Sequence, residues 1–199
     1  MDPKDTGEHY GRIARWYQQN IPETYGLKQL ERAVRFVENK GRALDAGCGS
    51  NGRFIRVLLE AGFAVDGVDI APEMIALVKE RFPSATYYTG DLCEWALPQG
   101  YDFISAWDST FHLPLDQQRP VLEKLCRGLN PRGVLLFTGG GGDGPGEITG
   151  SFQGEDFGYS TLDVEGFLEV LKDCGCQCRH VEYDQYPEKH VYFIAQKLR

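Results

Sequence analysis

Strand-like and helix-like segments alternate along the chain from residue 42 onward, and this alternation limits most strongly the folds open to the chain. Arg42 to Ala46 is a short apolar run, and Arg53 to Ala61 follows with apolar residues at helical spacing before Gly62. Such alternation predicts an α/β protein with a mostly parallel sheet and helices on both faces. Further strands are predicted at Phe63–Asp69, Ala85–Thr89, Tyr101–Trp107 and Gly133–Thr138, and further helices from Pro72 and over Val121–Leu129.

The C-terminal part departs from this alternation. Ser160 and Asp163 are spaced as a capping box before a helix, and two strands, Gln177 to Asp184 and Val191 to Gln196, come after it. The link of residues 185–190 is too short for a crossover helix, so the two strands are predicted to pair antiparallel. The sheet is therefore expected to be mixed, with one reversed strand from the C-terminal part.

Two other segments lie outside the alternating pattern. Residues 9–40 are predicted to be helical and are rich in aromatic side chains. Residues 139–150 are rich in glycine, which loses more conformational entropy on ordering than any other residue. Residues 139–150 are therefore expected to be mobile and without regular secondary structure.

Composition and charge narrow the range of functions. The chain has 199 residues, which suits one domain, and a formal net charge of −8. An acidic surface without clustered Lys and Arg disfavours nucleic-acid partners, and the apolar runs are far shorter than the roughly 20 residues of a membrane span. Six cysteines without an export signal favour reduced thiols and a cytoplasmic location. Cys174, Cys176 and Cys178 lack the spacing of a zinc knuckle, so no metal site is predicted.

A glycine-containing loop is the strongest candidate for a binding site. The segment Leu44–Gly52 lies between the first strand and its helix, where glycine lets the backbone turn sharply and approach a ligand. Asp69 ends the second strand, where a carboxylate can accept hydrogen bonds from a ribose diol, and Asp91 follows the third strand. Because ligands of open parallel sheets bind at the carboxyl ends of the strands, these groups are expected to face one crevice.

This loop is compatible with a dinucleotide cofactor. Residues 47–52 satisfy the pattern Gly-x-Gly-x-x-Gly, and together with Asp69 they allow a nicotinamide-dependent oxidoreductase. Against that alternative, the residues after the fifth strand offer no substrate domain and no clear partner for hydride transfer.

The order and spacing of the motifs resemble those of class I S-adenosylmethionine-dependent methyltransferases. Leu44–Gly52 looks like the first motif of that family, and Val68–Met74 looks like its ribose-binding strand end. Gly90–Leu92 resembles its adenine-contacting turn, and Leu129–Val134 is similar to its turn before the fifth strand. The resemblance implies a Rossmann-like doubly wound sheet of about seven strands, mostly parallel with a C-terminal antiparallel strand, and S-adenosylmethionine as the cofactor.

The same resemblance divides the chain and assigns functional residues. Residues 1–40 would form an N-terminal helical lid, and residues 41–199 would form the S-adenosylmethionine-binding methyltransferase domain. Trp107 would lie where the methyl-bearing sulfur meets the acceptor, and His112 is the histidine best placed to act as a general base. The implied cofactor-binding residues are Tyr17, Asp45, Gly47, Cys48, Gly49, Asp69, Ile70, Met74, Asp91, Leu92 and Trp107.

Each of these assignments has an alternative. Trp107 is equally expected as a core residue, and His112 as a residue that packs or positions a loop. The fourth-strand end, Ala106 to Ser109, lacks the Asn/Asp-Pro-Pro-Tyr pattern of methyltransferases that act on amino groups of bases and glutamine. A small-molecule methyl acceptor is therefore expected. A non-catalytic S-adenosylmethionine-binding protein stays open as well, because methyl transfer needs no diagnostic catalytic residue.

Overall fold

The computed structural model describes residues 1–199, with six α-helices and nine β-strands. No helix in it has the length and apolar character that crossing a membrane requires. The helices are α1 (Pro3–Asn20), α2 (Leu27–Val34), α3 (Arg53–Glu60), α4 (Pro72–Arg81), α5 (Leu115–Gly128) and α6 (Asp163–Asp173). The strands are β1 (Arg42–Ala46), β2 (Ala64–Asp69), β3 (Thr86–Thr89), β4 (Tyr101–Ala106), β5 (Leu129–Gly140), β6 (Gly146–Phe152), β7 (Glu155–Thr161), β8 (Cys176–Glu182) and β9 (His190–Lys197).

A seven-stranded sheet in the order β3-β2-β1-β4-β5-β9-β8 forms the centre of the molecule. Neighbouring strands are parallel except for β9, which runs antiparallel to both β5 and β8. The prediction of a mixed sheet with one reversed strand near the C-terminus is therefore confirmed. The strand order reverses between β1 and β4, and the carboxyl ends of parallel strands leave a crevice at such a switch point.

Helices cover both faces of this sheet because its central strands are apolar on both sides. On β1, Ala43 belongs to the same buried cluster as Leu30 of α2 and Leu58 of α3. The next residue, Leu44, belongs to the cluster that contains Leu125 of α5, on the other face. Two-sided burial gives the central strands their continuous apolar runs, which is why their positions are visible in the sequence.

The glycine-rich segment is more ordered than its composition predicts, and the expectation for residues 139–150 is wrong. The first two of these residues continue β5, and residues from Gly146 onward form β6, which pairs antiparallel with β7. Gln153 and Gly154 join the two strands with φ angles of 54° and 81°. A two-residue loop with both φ angles positive matches the twist of the strands it joins, so this turn favours the antiparallel pairing of β6 and β7.

The capping box predicted before the last helix is also absent. Ser160 lies buried in β7, where its hydroxyl donates to the carbonyl oxygen of Leu113 at 2.5 Å. Thr161 takes the capping role instead, because its hydroxyl oxygen accepts from the Asp163 amide at 2.9 Å. The Asp163 carboxylate then accepts from the amide of Gly166 at 2.8 Å. The start of the helix is therefore fixed by Thr161 and Asp163.

Candidate active site

The loop after β1 has a backbone that only glycine adopts readily. Gly47 and Gly49 have φ angles of 80° and 59°. The amide of Gly47 donates to the carbonyl oxygen of Val68 at 2.8 Å, which ties the loop to β2. A Cβ atom on Gly47 would lie 2.3 Å from the Cβ of Ser109, and one on Gly49 would lie 3.2 Å from the ring of Tyr17. The missing side chains therefore let other parts of the chain approach the loop closely.

Asp69 at the end of β2 is fixed by the backbone around it. One of its carboxylate oxygens accepts from the amide of Gly49 at 2.9 Å, and the other accepts from the amide of Ala71 at 3.0 Å. Burial raises the pKa of Asp69, and these hydrogen bonds oppose that rise without cancelling it. Each carboxylate oxygen keeps a lone pair beyond the one used here, so Asp69 can still accept hydrogen bonds from a ligand.

The turn after β3 presents Asp91 and Leu92. One carboxylate oxygen of Asp91 accepts from the amide of Cys93 at 2.8 Å. The ammonium group of Lys124 on α5 donates to the carbonyl oxygens of Leu92 and Trp95, the latter at 3.0 Å. Lys124 therefore holds this turn from behind and satisfies carbonyl groups that the turn leaves unpaired.

One pocket of about 700 Å³, part of which is open to solvent, lies at the carboxyl ends of the central strands. The structure brings ten of the sequence-predicted residues to its wall. They are Tyr17, Gly47, Gly49, Asp69, Ile70, Met74, Asp91, Leu92, Trp107 and His112.

Asp45 and Cys48, which the resemblance assigned to cofactor binding, do not line this pocket. Asp45 is buried in β1, and its carboxylate accepts from the Ser105 hydroxyl at 2.7 Å. Burial raises the pKa of Asp45 to about 6. The Cys48 thiol is turned toward Gly67 of β2, where it lies 3.1 Å from the position of a Cβ atom. Both residues therefore lie behind the pocket wall.

Helix α1 lines the pocket, and its other side contacts the β6–β7 hairpin. Tyr10 and Tyr17 of α1 both line the pocket. The hydroxyl of Ser50 donates to the carbonyl oxygen of Ala14 at 2.8 Å, which attaches α1 to the glycine loop. On its other side, Arg12 donates two hydrogen bonds of 2.8 Å to the carboxylate of Glu155 on β7. Helix α1, which lines the pocket, is thus held by the glycine loop on one side and by the hairpin on the other.

His112 lies in a short turn after β4, and both of its ring nitrogens are engaged. Nδ1 lies 3.0 Å from the carbonyl oxygen of Gly158, which can only accept, so Nδ1 carries the proton. Nε2 then accepts from the hydroxyl of Tyr10 at 2.8 Å. Burial lowers the pKa of His112 to about 4, so the ring is neutral near pH 7. In this arrangement neither ring nitrogen is free to take a proton from a substrate.

Trp107 follows β4 directly and combines a pocket surface with a packing role. Its ring lies in an aromatic cluster, with centroid distances of 5.8 Å to Phe54, 5.6 Å to His190 and 5.9 Å to Tyr192. It also lines the pocket although only 5% of it is exposed. The functional and structural interpretations of Trp107 are therefore compatible.

Sequence reasoning missed a charged group at the pocket wall, formed by Asp108, His190, Asp184 and Tyr25. The ring of His190 is hydrogen-bonded to Asp108 at 2.9 Å and to Asp184 at 2.6 Å. The hydroxyl of Tyr25 donates to the other oxygen of Asp108 at 2.8 Å. Asp108 carries one weak signal in the sequence, its position just after β4. Nothing in the sequence shows that His190, 82 residues later, reaches it.

Comparison with known sequences agrees with this geometry. Residues 43–133 match a family model described as a methyltransferase domain. YqeM of Bacillus subtilis (strain 168), which is named as a methyltransferase, is 27% identical over 96% of the chain and 91% of that protein. The magnesium-protoporphyrin O-methyltransferase of Rhodobacter capsulatus is 31% identical over 49% of the chain and 44% of that protein. The chain spans about half the length of this relative and of several other curated relatives it matches.

A solved structure shows the same fold over almost the whole chain. The magnesium protoporphyrin IX methyltransferase of Synechocystis PCC 6803, with S-adenosylmethionine bound, superposes with a TM-score of 0.76 at 17% identity. The superposition covers 99% of this chain and 98% of that one. None of these matches supports the nicotinamide-dependent alternative. The chain therefore matches a methyltransferase domain over residues 43–133, and its motifs and fold resemble those of class I S-adenosylmethionine-dependent methyltransferases.

Proposed function

We propose that the protein transfers a methyl group from S-adenosylmethionine to a small molecule. The observation that carries this proposal is that one pocket at the switch point of the sheet contains the glycine loop, Asp69 and Asp91. A pocket that combines a side-chain-free loop with two separate carboxylates suits a ligand with both a nucleoside and a flexible polar chain.

The pocket residues fit the parts of this cofactor. The methionine portion would lie along Gly47 and Gly49, where the lack of Cβ atoms leaves the backbone accessible. The spare lone pairs of Asp69 suit the two ribose hydroxyls, and Asp91 suits the adenine amino group. Tyr17 would border the carboxylate end of the cofactor. The apolar residues that would flank the adenine are Ile70, Met74 and Leu92.

The chain itself would contribute orientation and the exclusion of water. When bound, S-adenosylmethionine supplies a methyl group attached to a positively charged sulfur, which activates that group for transfer. Helix α1 can keep water out because it lines the pocket, and its hydrogen bonds from Arg12 to Glu155 of the β6–β7 hairpin hold it in place. His112 is neutral and doubly hydrogen-bonded, so it suits the positioning of Tyr10 better than proton transfer.

A small acceptor suits the way in which the pocket is enclosed. Residues 1–40 would act as the lid and residues 41–199 as the cofactor-binding domain, since α1 and α2 precede the sheet and α1 lines the pocket. Two relatives described above are named for a small-molecule acceptor, magnesium protoporphyrin. The acidic charge supports the prediction that nucleic acid is not the substrate. We also propose a cytoplasmic location, where the six free cysteines of the chain would stay reduced.

Isothermal titration of the full chain with S-adenosylhomocysteine, and separately with NADH, tests the cofactor. We expect S-adenosylhomocysteine to bind and NADH not to bind, and the opposite result would overturn the proposal. A metabolite panel assayed for release of S-adenosylhomocysteine then tests the transfer itself. Binding without release from any acceptor would favour a non-catalytic binding protein.

A further inference from the structure

Asp108 is a charged pocket residue that the cofactor assignment leaves unexplained. It follows β4, whereas Asp69 follows β2 and Asp91 follows β3. In the sheet order, β4 lies on the opposite side of β1 from β2 and β3. Asp108 therefore lies across the glycine loop from the two carboxylates that suit the nucleoside.

Several contacts hold the Asp108 carboxylate in one place. One oxygen is hydrogen-bonded to His190 and the other to Tyr25. The Asp108 amide donates to the hydroxyl of Thr138 at 2.7 Å, and its φ angle is 53°. A non-glycine residue with positive φ is strained, and such strain persists only where the surroundings fix it, often at functional sites. The backbone and the side chain of Asp108 are thus both constrained at the pocket wall.

His190 supports Asp108 from behind. It lies between two carboxylates, Asp108 and Asp184, and its side chain is only 13% exposed. Burial lowers the pKa of His190, but the hydrogen bonds and charges of Asp108 and Asp184 outweigh that effect and raise the pKa overall. Gln185 completes the arrangement by contacting both His190 and the hydroxyl of Tyr25 at 3.0 Å. With His190 protonated, the group of Asp108, His190 and Asp184 carries one net negative charge.

The rest of the pocket offers no positive side chain. Its lining includes three carboxylates and neither Lys nor Arg. His112 is neutral because burial lowers its pKa to about 4. The buried Arg53 does not line the pocket, and its guanidinium donates to the carbonyl oxygen of Tyr25 at 2.8 Å. An anionic acceptor would therefore meet only negative or neutral groups.

We propose that Asp108 binds an amino group of the methyl acceptor, with His190 as the positioning residue for its carboxylate. This proposal rests on the methyltransferase function proposed above and assigns the acceptor to a chemical class. An ammonium group would form a charge-assisted hydrogen bond with Asp108, which still has lone pairs free. The rings of Tyr10, Tyr17 and Trp107 border the same pocket, and aromatic faces attract cations.

Binding of matched probes to the complex with S-adenosylhomocysteine tests this assignment. The probes are 2-phenylethylamine, 2-phenylethanol and 3-phenylpropanoate, which share one aromatic body and differ in the terminal group. Titration calorimetry is expected to show the amine binding at least about tenfold more tightly than the alcohol, with the carboxylate weakest. Equal or weaker binding of the amine would overturn the proposal.

The variant Asp108→Asn tests whether Asp108 causes the preference for the amine over the alcohol. Asparagine tolerates positive φ and keeps the shape of the side chain, and Asp108→Gly serves as a second variant with the same tolerance. We expect the preference for the amine to fall to within about twofold while the affinity for S-adenosylhomocysteine stays unchanged. Asp173→Asn, which removes an exposed carboxylate on α6, is the matched control and should keep the preference.

Two other results have distinct meanings. If Asp108→Asn weakened S-adenosylhomocysteine and amine by the same factor, Asp108 would bind the cofactor and the acceptor proposal would fall. If the unaltered chain did not bind S-adenosylhomocysteine at all, the proposed function itself would fail, which is a different outcome from a lost amine preference.

His190→Gln tests the positioning role. A purely structural role would weaken the amine and the alcohol alike, whereas loss of positioning should lower their affinity ratio several-fold. In the Asp108→Asn background the same change should leave the ratio unaffected, because the carboxylate that His190 positions is already gone. A further decrease of the affinity ratio in the Asp108→Asn variant would contradict the positioning role of His190.

Discussion

The pocket has two halves that are built in different ways. The cofactor half consists of the turns after β1, β2 and β3, and its residues interact over short separations, such as the 20 residues between Gly49 and Asp69. The acceptor half consists of the residues after β4 and of helix α1, which line the pocket, with the β6–β7 hairpin and the loop before β9 packed behind them. There His112 pairs with Tyr10, 102 residues away, and Asp108 pairs with His190, 82 residues away. The contacts of the cofactor half therefore form between residues that are close in sequence. The contacts of the acceptor half join segments that are far apart in sequence, so they form only when the whole chain has folded.

The largest effect on stability and cofactor binding is expected from a substitution at Gly47, where the two halves of the pocket meet. Gly47→Ala would place a Cβ atom 2.3 Å from Ser109 at a φ angle of 80°. Strain and overpacking together should lower the free energy of unfolding by about 3 kcal/mol and displace the loop, so that binding of S-adenosylhomocysteine is lost. Chemical denaturation and calorimetry measure both effects.

Gly175→Ala is the control for this substitution. Its φ angle is 69°, but an added Cβ would meet no atom within 4 Å. It should therefore cost only the strain of about 1–2 kcal/mol and leave cofactor binding intact. Equal effects of the two variants would show that the close approach of Ser109 to Gly47 affects neither the free energy of unfolding nor cofactor binding.

The next largest effect tests the cofactor half alone. Asp69→Ala removes a buried carboxylate that accepts two backbone amides and suits the ribose hydroxyls. The affinity for S-adenosylhomocysteine should fall by about 1–3 kcal/mol, the cost of leaving buried polar partners unpaired. Asp173→Ala, at an exposed carboxylate, should leave it unchanged. If Asp69→Ala bound S-adenosylhomocysteine with unchanged affinity, the assignment of Asp69 to the ribose hydroxyls would be wrong.

In the acceptor half, an effect of similar size is expected on the free energy of unfolding when the pH is lowered. The pKa of His112 is lowered to about 4, so the folded state takes up its proton less readily than the unfolded chain does. Stability should therefore fall as the pH drops from about 6.5 toward 4, by up to about 2 kcal/mol between pH 6.5 and 4.5.

His112→Gln isolates this contribution from that of the other titrating groups. Glutamine can still donate to Gly158 and accept from Tyr10, but it does not titrate. The loss of unfolding free energy between pH 6.5 and 4.5 should be smaller in the variant than in the unaltered chain. Identical pH profiles in denaturant unfolding would mean that His112 is not held neutral.

The smallest effect concerns the contact between α1 and the β6–β7 hairpin. Arg12→Met removes two hydrogen bonds to Glu155, but the Arg12 side chain is 50% exposed, and exposed ion pairs contribute little. Stopped-flow measurements should show dissociation of S-adenosylhomocysteine accelerated by no more than about threefold. A much larger acceleration would mean that this contact controls closure of the pocket.

The same contrast explains how much the sequence could predict. Strands β1, β2 and β4 were predictable because burial on both faces gives apolar runs. The residues that follow β1, β2 and β3 were predictable because glycine or aspartate at a strand end has a direct physical reason. The start of β5 shows where this reasoning stops. Arg132 adopts a φ angle of 67° with a side chain that favours negative values, and its residue type gives no sign of this conformation.

The acceptor half was less predictable for the same physical reason. The β6–β7 hairpin depends on a two-residue turn at Gln153 and Gly154 and on pairing that composition alone argues against. The contact of His190 with Asp108 depends on the path of the loop before β9, which no periodicity encodes. His112 lines the pocket, but the hydrogen bonds that occupy its nitrogens come from segments distant in sequence.

The β6–β7 hairpin forms a sheet of its own, with no strand pairing to the seven-stranded sheet. A change of length or sequence near its tip would therefore leave the register of the central strands untouched. Evolution can vary the exposed residues of this hairpin at little risk to folding, while the cofactor half stays fixed. The exposed residues 147–149, which border a cavity beside His112, are for the same reason a natural starting point for laboratory evolution, with the buried Phe157 and Ser160 kept.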